Sequence, residues 1–296
     1  MSQWMFWIKA ARLRTLPLAF SGVLLGNVTA YIHAPQRWSA LIFFGTIYTI
    51  LLLQILSNFA NDYGDGVKGT DQHRSGPARA VASGWISPHA MRLAIFLLAF
   101  MSLLSGLALL YYAVPLNSQS FLILLLLGLL AIISAIVYTV GRYAFGYRGL
   151  GDMFVFLFFG PVAVIGSCYL QCLQLVPYAG IGGIAMGLLS AGVLNLNNIR
   201  DIETDKAANK ITLAVRLGKD KAWFYHFVLV GGGYTSLLMW FFQYGKGIGL
   251  WIPLLVIQVL LIGNTVLARV TPDYNRLLAR LAMSTFIGSL LSLMVL

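Results

Sequence analysis

Charge is what this chain has least of. Asp, Glu, Lys and Arg together make up 10% of its 296 residues, against about 25% in a soluble globular domain. That deficit excludes an ordinary water-soluble fold. Cysteine is nearly absent as well: Cys168 and Cys172 are the only two. One helical turn apart, they do not suit a disulfide within a helix and read as small packing residues. The four histidines, His33, His73, His89 and His226, show no ligand spacing, so a zinc site is excluded too. Acid is the scarcer charge, nine Asp and Glu against 20 Lys and Arg. The basic excess could serve nucleic acid, but its residues are scattered over several short loops. That pattern argues against a nucleic-acid face and for determinants of membrane topology.

Apolar sequence is what the chain has in abundance, at 59% of residues. A span needs roughly 20 apolar residues to cross the hydrocarbon. Runs of that size lie near 17–34, 39–61, 91–114, 119–140, 151–171, 176–199, 222–243, 248–268 and 277–296. The expectation is an all-α polytopic membrane protein, a bundle of about nine transmembrane helices forming one integral-membrane domain over 1–296. Trp4, Trp7, Lys9, Arg12 and Arg14 precede the first run in place of a signal peptide, as an interfacial anchor would.

The connections alternate between short ones and polar, basic ones at 62–90, 141–150, 200–221 and 269–276. With the N-terminus and the basic connections on one side, only Arg37 and Lys246 of the basic residues fall on the other, and the positive-inside rule makes the basic side cytoplasmic. Asp62, Asp65, Asp71, Asp152, Asp201, Glu203, Asp205, Asp220 and Asp273 all share that side. Acidic residues do little to set topology, so their gathering there needs another cause. A site at the cytoplasmic face supplies one.

Two segments carry it: Asn58-Phe-Ala-Asn-Asp-Tyr-Gly-Asp65, with Asp71 beyond, and Asn197-Asn-Ile-Arg-Asp-Ile-Glu-Thr-Asp205. Carboxylates at the mouth of a membrane helix are costly to keep without a partner or a task. Asn61 and Asp65 recur at four residues, as do Asn197, Asp201 and Asp205, which puts each set on one helical face. Asn198, Arg200 and Glu203 point elsewhere. The motif helices are four spans apart, so both descend to the same side. Together they would make an oxygen-rich nest for Mg²⁺, an ion that usually bridges carboxylates to a phosphate.

In the second helix, Gln54 and Asn58 extend the polar stripe; interhelical hydrogen bonding also accounts for amides in a membrane. The loops after the motifs hold Lys68, Arg74 and Arg79, and Lys210 and Arg216, each a short reach from the acids. They are candidate diphosphate contacts. A third loop, from Tyr138 through Tyr147 to Asp152, is rich in Tyr and Gly, and its rings could face a cation. An ion-coupled transporter would also collect intramembrane acids, but near the midplane rather than at one face.

Taken together, Asn61-Asp-Tyr-Gly-Asp65 with Lys68-Gly-Thr-Asp71, Gly146-Tyr-Arg-Gly-Leu-Gly-Asp152 and Asn197 through Gly218 resemble the membrane-embedded aromatic prenyltransferases of the UbiA type, as does Ala11-Arg-Leu-Arg-Thr-Leu-Pro17. Two positions depart from that pattern. The family often carries a further aspartate where this chain has Gly69, and its closest branch favours glycine where this chain has Asn209, a residue that tolerates left-handed backbone.

The resemblance implies transfer of an all-trans polyprenyl chain from its diphosphate to 1,4-dihydroxy-2-naphthoate, with loss of CO₂ and diphosphate, giving demethylmenaquinone. Another aromatic acceptor such as 4-hydroxybenzoate is the alternative. It implies Mg²⁺ as cofactor, a bacterial inner membrane as location and a lipid bilayer as surroundings; nothing marks an obligate protein partner. Asp65, Asp201 and Asp205 would be catalytic. Asn61, Asp62, Asp65, Asn197, Asp201 and Asp205 would hold the metal, and Lys68, Arg74, Arg79, Lys210 and Arg216 the diphosphate. Asn58, Asp71, Tyr138, Tyr147 and Asp152 are further candidates.

Overall fold

A computed structural model describes residues 2–71, 76–270 and 273–296, without the side chains of 265–270. Twelve α-helices serve the description: α1 (Gln3–Ala11), α2 (Leu16–His33), α3 (Ala40–Val67), α4 (Pro88–Ala113), α5 (Gln119–Val137), α6 (Gly151–Cys172), α7 (Pro177–Arg200), α8 (Ile202–Ala207), α9 (Leu213–Leu217), α10 (Lys219–Tyr244), α11 (Ile248–Val270) and α12 (Tyr274–Leu290). Strands are absent among the described residues. Lipid offers no partner for free backbone N–H and C=O groups, so long apolar runs satisfy them as helices.

The helix starts follow local chemistry. Ser87 and Ser118 cap α4 and α5, accepting from the amides of Ala90 and Phe121, and Pro88 and Pro177 open α4 and α7 where an amide would have no partner. Within α6, Pro161 lacks the amide a regular turn needs, and the helix widens to a π turn over Phe158–Val162. There Gly160 lies against the Gly183 carbonyl of α7, where a Cβ would collide with backbone. Small residues at such a crossing let two membrane helices approach closely.

Among the described residues, seven helical segments are long and apolar enough to cross a membrane: Gln3–His33, Ala40–Val67, Pro88–Ala113, Gln119–Val137, Gly151–Cys172, Pro177–Arg200 and Tyr274–Val295. The expected seventh and eighth spans correspond to α10 and α11. The first is less apolar, with Trp, Tyr, His and Gly along it; the second runs Ile248–Val270, and its described side chains, Ile248–Asn264, form an apolar stretch. Among the described residues, length and composition support seven spans, and the expected count of nine is not confirmed.

The two larger of four apolar clusters among the described residues hold most of the bundle. One joins α2, α6, α7, α10 and α12 through Leu25, Val164, Met186, Leu189, Trp240 and Leu281; the other joins α1, α3 and α4 through Ala10, Leu56, Phe59, Met91 and Ile95. Polar side chains inside the bundle find each other: Trp240 Nε1 donates to Thr29 Oγ1 at 3.1 Å and Asn264 Nδ2 to Tyr234 Oη at 2.9 Å. Gln54 and Asn58 do the same. Both donate to Thr15 Oγ1, at 3.0 and 3.1 Å, and Asn58 also to the Ala11 carbonyl at 2.9 Å. They fasten the N-terminal turn to α3, so Asn58 has a packing task away from the acids.

Candidate active site

The first motif ends α3, and its two aspartates face different ways. Asp62 is buried, and its two oxygens accept from the Ala80 and Val81 amides at 3.0 and 2.8 Å. It ties the returning loop to the helix. Asp65, one turn on and also buried, accepts from Tyr147 Oη at 2.8 Å. Beyond it Gly69 takes φ 77°, left-handed backbone that glycine adopts without strain. An aspartate there would meet that strain, and the turn instead presents Asp71.

The second motif closes α7. The chain breaks at Asp201 (φ −99°, ψ 12°) before α8 begins, so Asn197, Asp201 and Asp205 do not lie on one uninterrupted helix. The break brings Arg200 into the motif, contrary to the expectation that it points elsewhere. Its guanidinium grips Asp201 through Nε at 2.7 Å and Nη2 at 2.6 Å, and also reaches Asn197 Oδ1 at 2.7 Å. Its Nη1 continues to Asn275 Oδ1 at the start of α12. Glu203 is exposed, as a solvated helix-end charge should be. Asn209 adopts φ 54°, the conformation for which asparagine is suited.

Lys210 joins the motifs. Its ammonium lies 3.6 Å from Asp65 Oδ2 and 3.6 Å from Asp205 Oδ1. Arg79 plays a similar part on the other flank, 3.9 Å from Asp65 and 3.4 Å from Asp71. Those distances are long for hydrogen bonds. Arg79 Nε and Nη1 are buried and make none among the described residues.

Tyr147 occupies the centre. Its hydroxyl meets Thr70 Oγ1 at 2.7 Å as well as Asp65, and its ring carries Lys68 Nζ at 4.0 Å and Lys210 Nζ at 5.3 Å. Burial, then the Asp65 charge, holds this phenol protonated well above its usual range, so it stays a donor. Burial lowers the Lys68 pKa and Lys210 adds to that, while Asp65 opposes it. Lys68 also donates to the Thr139 carbonyl at 2.8 Å. Thr139 Oγ1 in turn bonds the Ala60 carbonyl and Asn61 Oδ1.

The remaining candidates divide. Arg216 is exposed and donates to the Arg148 carbonyl at 2.7 Å, holding the Tyr147 loop rather than reaching the acids. Asp152 is buried in the first turn of α6, with Oδ1 unpartnered among the described residues. Tyr138 faces Phe145 edge-on at 5.4 Å. Arg74 lies outside the described residues. Thr70, Thr139 and the pair Phe145 and Phe154 went unsignalled in the sequence, since the first three gain their places through loop geometry and Phe154 through the packing of α6 against that loop.

Among the described residues, no group of three or more His, Cys, Asp and Glu gathers at metal-holding distance. The acids of the two motifs are instead bridged or clamped by Lys210, Arg79 and Arg200. Below them opens an apolar chamber of about 570 Å³ whose upper wall includes Tyr138, Phe145 and Phe154 and whose α3 side carries Gln54 and Ser57. Phe145 and Phe154 stack at 4.0 Å. The arrangement is thus a charged, oxygen-rich mouth over a deep apolar space, suited to a molecule with an anionic head and a hydrocarbon body.

A charged mouth over an apolar chamber is the layout of a membrane enzyme with an amphipathic substrate site, and residues 19–289 match the UbiA prenyltransferase family. The chain belongs to that family. It is 44% identical to the 1,4-dihydroxy-2-naphthoate octaprenyltransferase of Haemophilus influenzae, over 76% of this chain and 73% of that one. It is 43% identical to the Escherichia coli protein of the same name, over 79% and 75%. The fold is similar to an apo UbiA homologue from Aeropyrum pernix (TM-score 0.69, 16% identity, 95% and 97% coverage) and to one from Archaeoglobus fulgidus bound to GPP and Mg²⁺ (0.65, 17%, 96% and 99%).

Proposed function

We propose that this protein transfers a polyprenyl chain from its diphosphate to 1,4-dihydroxy-2-naphthoate at the cytoplasmic face of a bacterial inner membrane. The observation that carries the reading is Lys210, which draws the carboxylates of both motifs together beside the apolar chamber. The named relatives in Haemophilus influenzae and Escherichia coli supply the acceptor.

The donor set suits Mg²⁺ by ligand type, although among the described residues its acids are held by Lys210, Arg79 and Arg200 rather than gathered at metal-holding distance. Asp65, Asp201 and Asp205 are buried hard-oxygen groups, with Asn61 and Asn197 beside them. Asp62, committed to two loop amides, is assigned to holding the loop instead. When bound, the ion would offset diphosphate charge and favour its departure. Arg79, with its unmet donors, and Lys210 and Lys68 would contact the diphosphate oxygens. Tyr147 orients Asp65 and stays neutral.

In the reaction the allylic C–O bond breaks, diphosphate takes the electron pair, and the allylic cation is attacked by the electron-rich naphthoate ring. The carboxylate then leaves as CO₂, returning its electron pair to the ring and yielding the quinol form of demethylmenaquinone. The apolar chamber keeps water from the cation, and Tyr138, Phe145 and Phe154, which line it, supply aromatic π density nearby. The tail occupies the chamber.

The test is an assay of membranes from an overexpressing strain, given octaprenyl diphosphate, Mg²⁺ and either dihydroxynaphthoate or 4-hydroxybenzoate. Prenylated naphthoquinone is expected, and it should disappear in Asp65→Ala and Asp201→Ala. No product, or preference for 4-hydroxybenzoate, would overturn the reading.

A further inference from the structure

Three glycines on three helices line the chamber: Gly106 of α4, Gly128 of α5 and Gly166 of α6. Each is in a regular helix, and a Cβ built on any of them meets nothing within 4 Å. No close helix crossing and no left-handed backbone requires glycine there, although glycine weakens a helix interior relative to alanine. What the three positions supply is volume. They lie far from the charged mouth: at 1.5 Å of rise per residue, Gly128 is about 15 Å along α5 from Tyr138, and Gly166 about 18 Å along α6 from Phe154. Nearby, Tyr169 Oη of α6 donates to Ser120 Oγ at the start of α5, tying the two helices at that end.

We infer that Gly106, Gly128 and Gly166 are specificity-determining residues that keep the distal chamber wide enough for the later isoprene units of a long donor. The inference rests on the proposed prenyl transfer and deepens it. A short prenyl tail ends before these positions, whereas a long one must pass them. Side chains at Gly128 and Gly166 would therefore obstruct long tails selectively, in proportion to their size.

The experiment measures kcat/KM for octaprenyl and geranyl diphosphate, with the same naphthoate acceptor, in the wild type and in Ala, Val and Leu series at Gly128 and Gly166. The octaprenyl-to-geranyl ratio should fall progressively, by at least tenfold in Gly128→Leu and Gly166→Leu. If a leucine variant fails to fold, the alanine and valine variants carry the test. Alanine favours the helix, and the ratio should already move in the same direction. An unchanged ratio across both series, or equal losses on both donors in folded variants, overturns the inference while leaving prenyl transfer intact. A wild type inactive on both donors fails the functional reading itself.

Discussion

Tyr147→Phe removes one oxygen and leaves the ring between Lys68 and Lys210. The lost hydroxyl donates to the Asp65 carboxylate at 2.8 Å and meets Thr70 Oγ1 at 2.7 Å. A hydrogen bond to a charged group contributes roughly 1.5–3 kcal/mol. If Asp65 must be held in place for the transition state, that loss appears in the barrier, where about 1.4 kcal/mol is a factor of ten. The expected result is a fall in kcat/KM of about 10- to 100-fold. Tyr147→Ala should lose more, because it also removes the ring that carries both lysines, each cation–π contact adding about 0.5–2 kcal/mol. The measurement is initial-rate kinetics of prenyl transfer in detergent-solubilised protein, with folding checked by thermal unfolding. A Tyr147→Phe protein within twofold of wild type would refute the idea that this hydroxyl positions Asp65.

Asp62→Asn should act on stability rather than on metal use. It leaves one of the two buried amides of Ala80 and Val81 without its acceptor, a cost of about 1–3 kcal/mol. A lowered Tm with an unchanged Mg²⁺ requirement is expected, and a raised Mg²⁺ requirement at unchanged Tm would return Asp62 to the metal. Arg79→Met and Lys210→Met should raise KM for the prenyl diphosphate by about tenfold or more while moving KM for naphthoate little, since a charged hydrogen-bonding partner is lost; parallel shifts in both constants would count against diphosphate contact. Arg216→Ala should have a smaller effect than either, because it reaches the site only through the Arg148 carbonyl. A reporter active only in the periplasm, fused after Leu296, should give signal; its silence, with a cytoplasmic reporter active there, would mean an even number of spans.

Hydropathy made the helices legible from the sequence, since a chain in lipid has few ways to satisfy its backbone. The positions of α2 to α7 follow the apolar runs closely. The convergence of the two motifs was legible too. All nine acids could be counted onto one side, and the structure joins Asp65 to Asp205 through Lys210. The span count was less secure, because aromatic and glycine residues make α10 a weaker signal than its length suggests.

The division of labour within the motifs was decided by tertiary structure alone. Asp62 and Asp65 are the same residue type in the same motif, yet three positions of helix rotation separate a carboxylate that binds loop amides from one that meets Tyr147. That difference depends on where residues 79–81 return, which no local spacing encodes. Arg200 joined the site because the helix breaks at Asp201, and Tyr147 became its centre because a loop distant in sequence folds over Asp65. Periodicity assigns a side chain to a face of its own helix. What stands opposite that face is fixed by packing between segments far apart in the chain, and there the carboxylates of this protein acquire their separate roles.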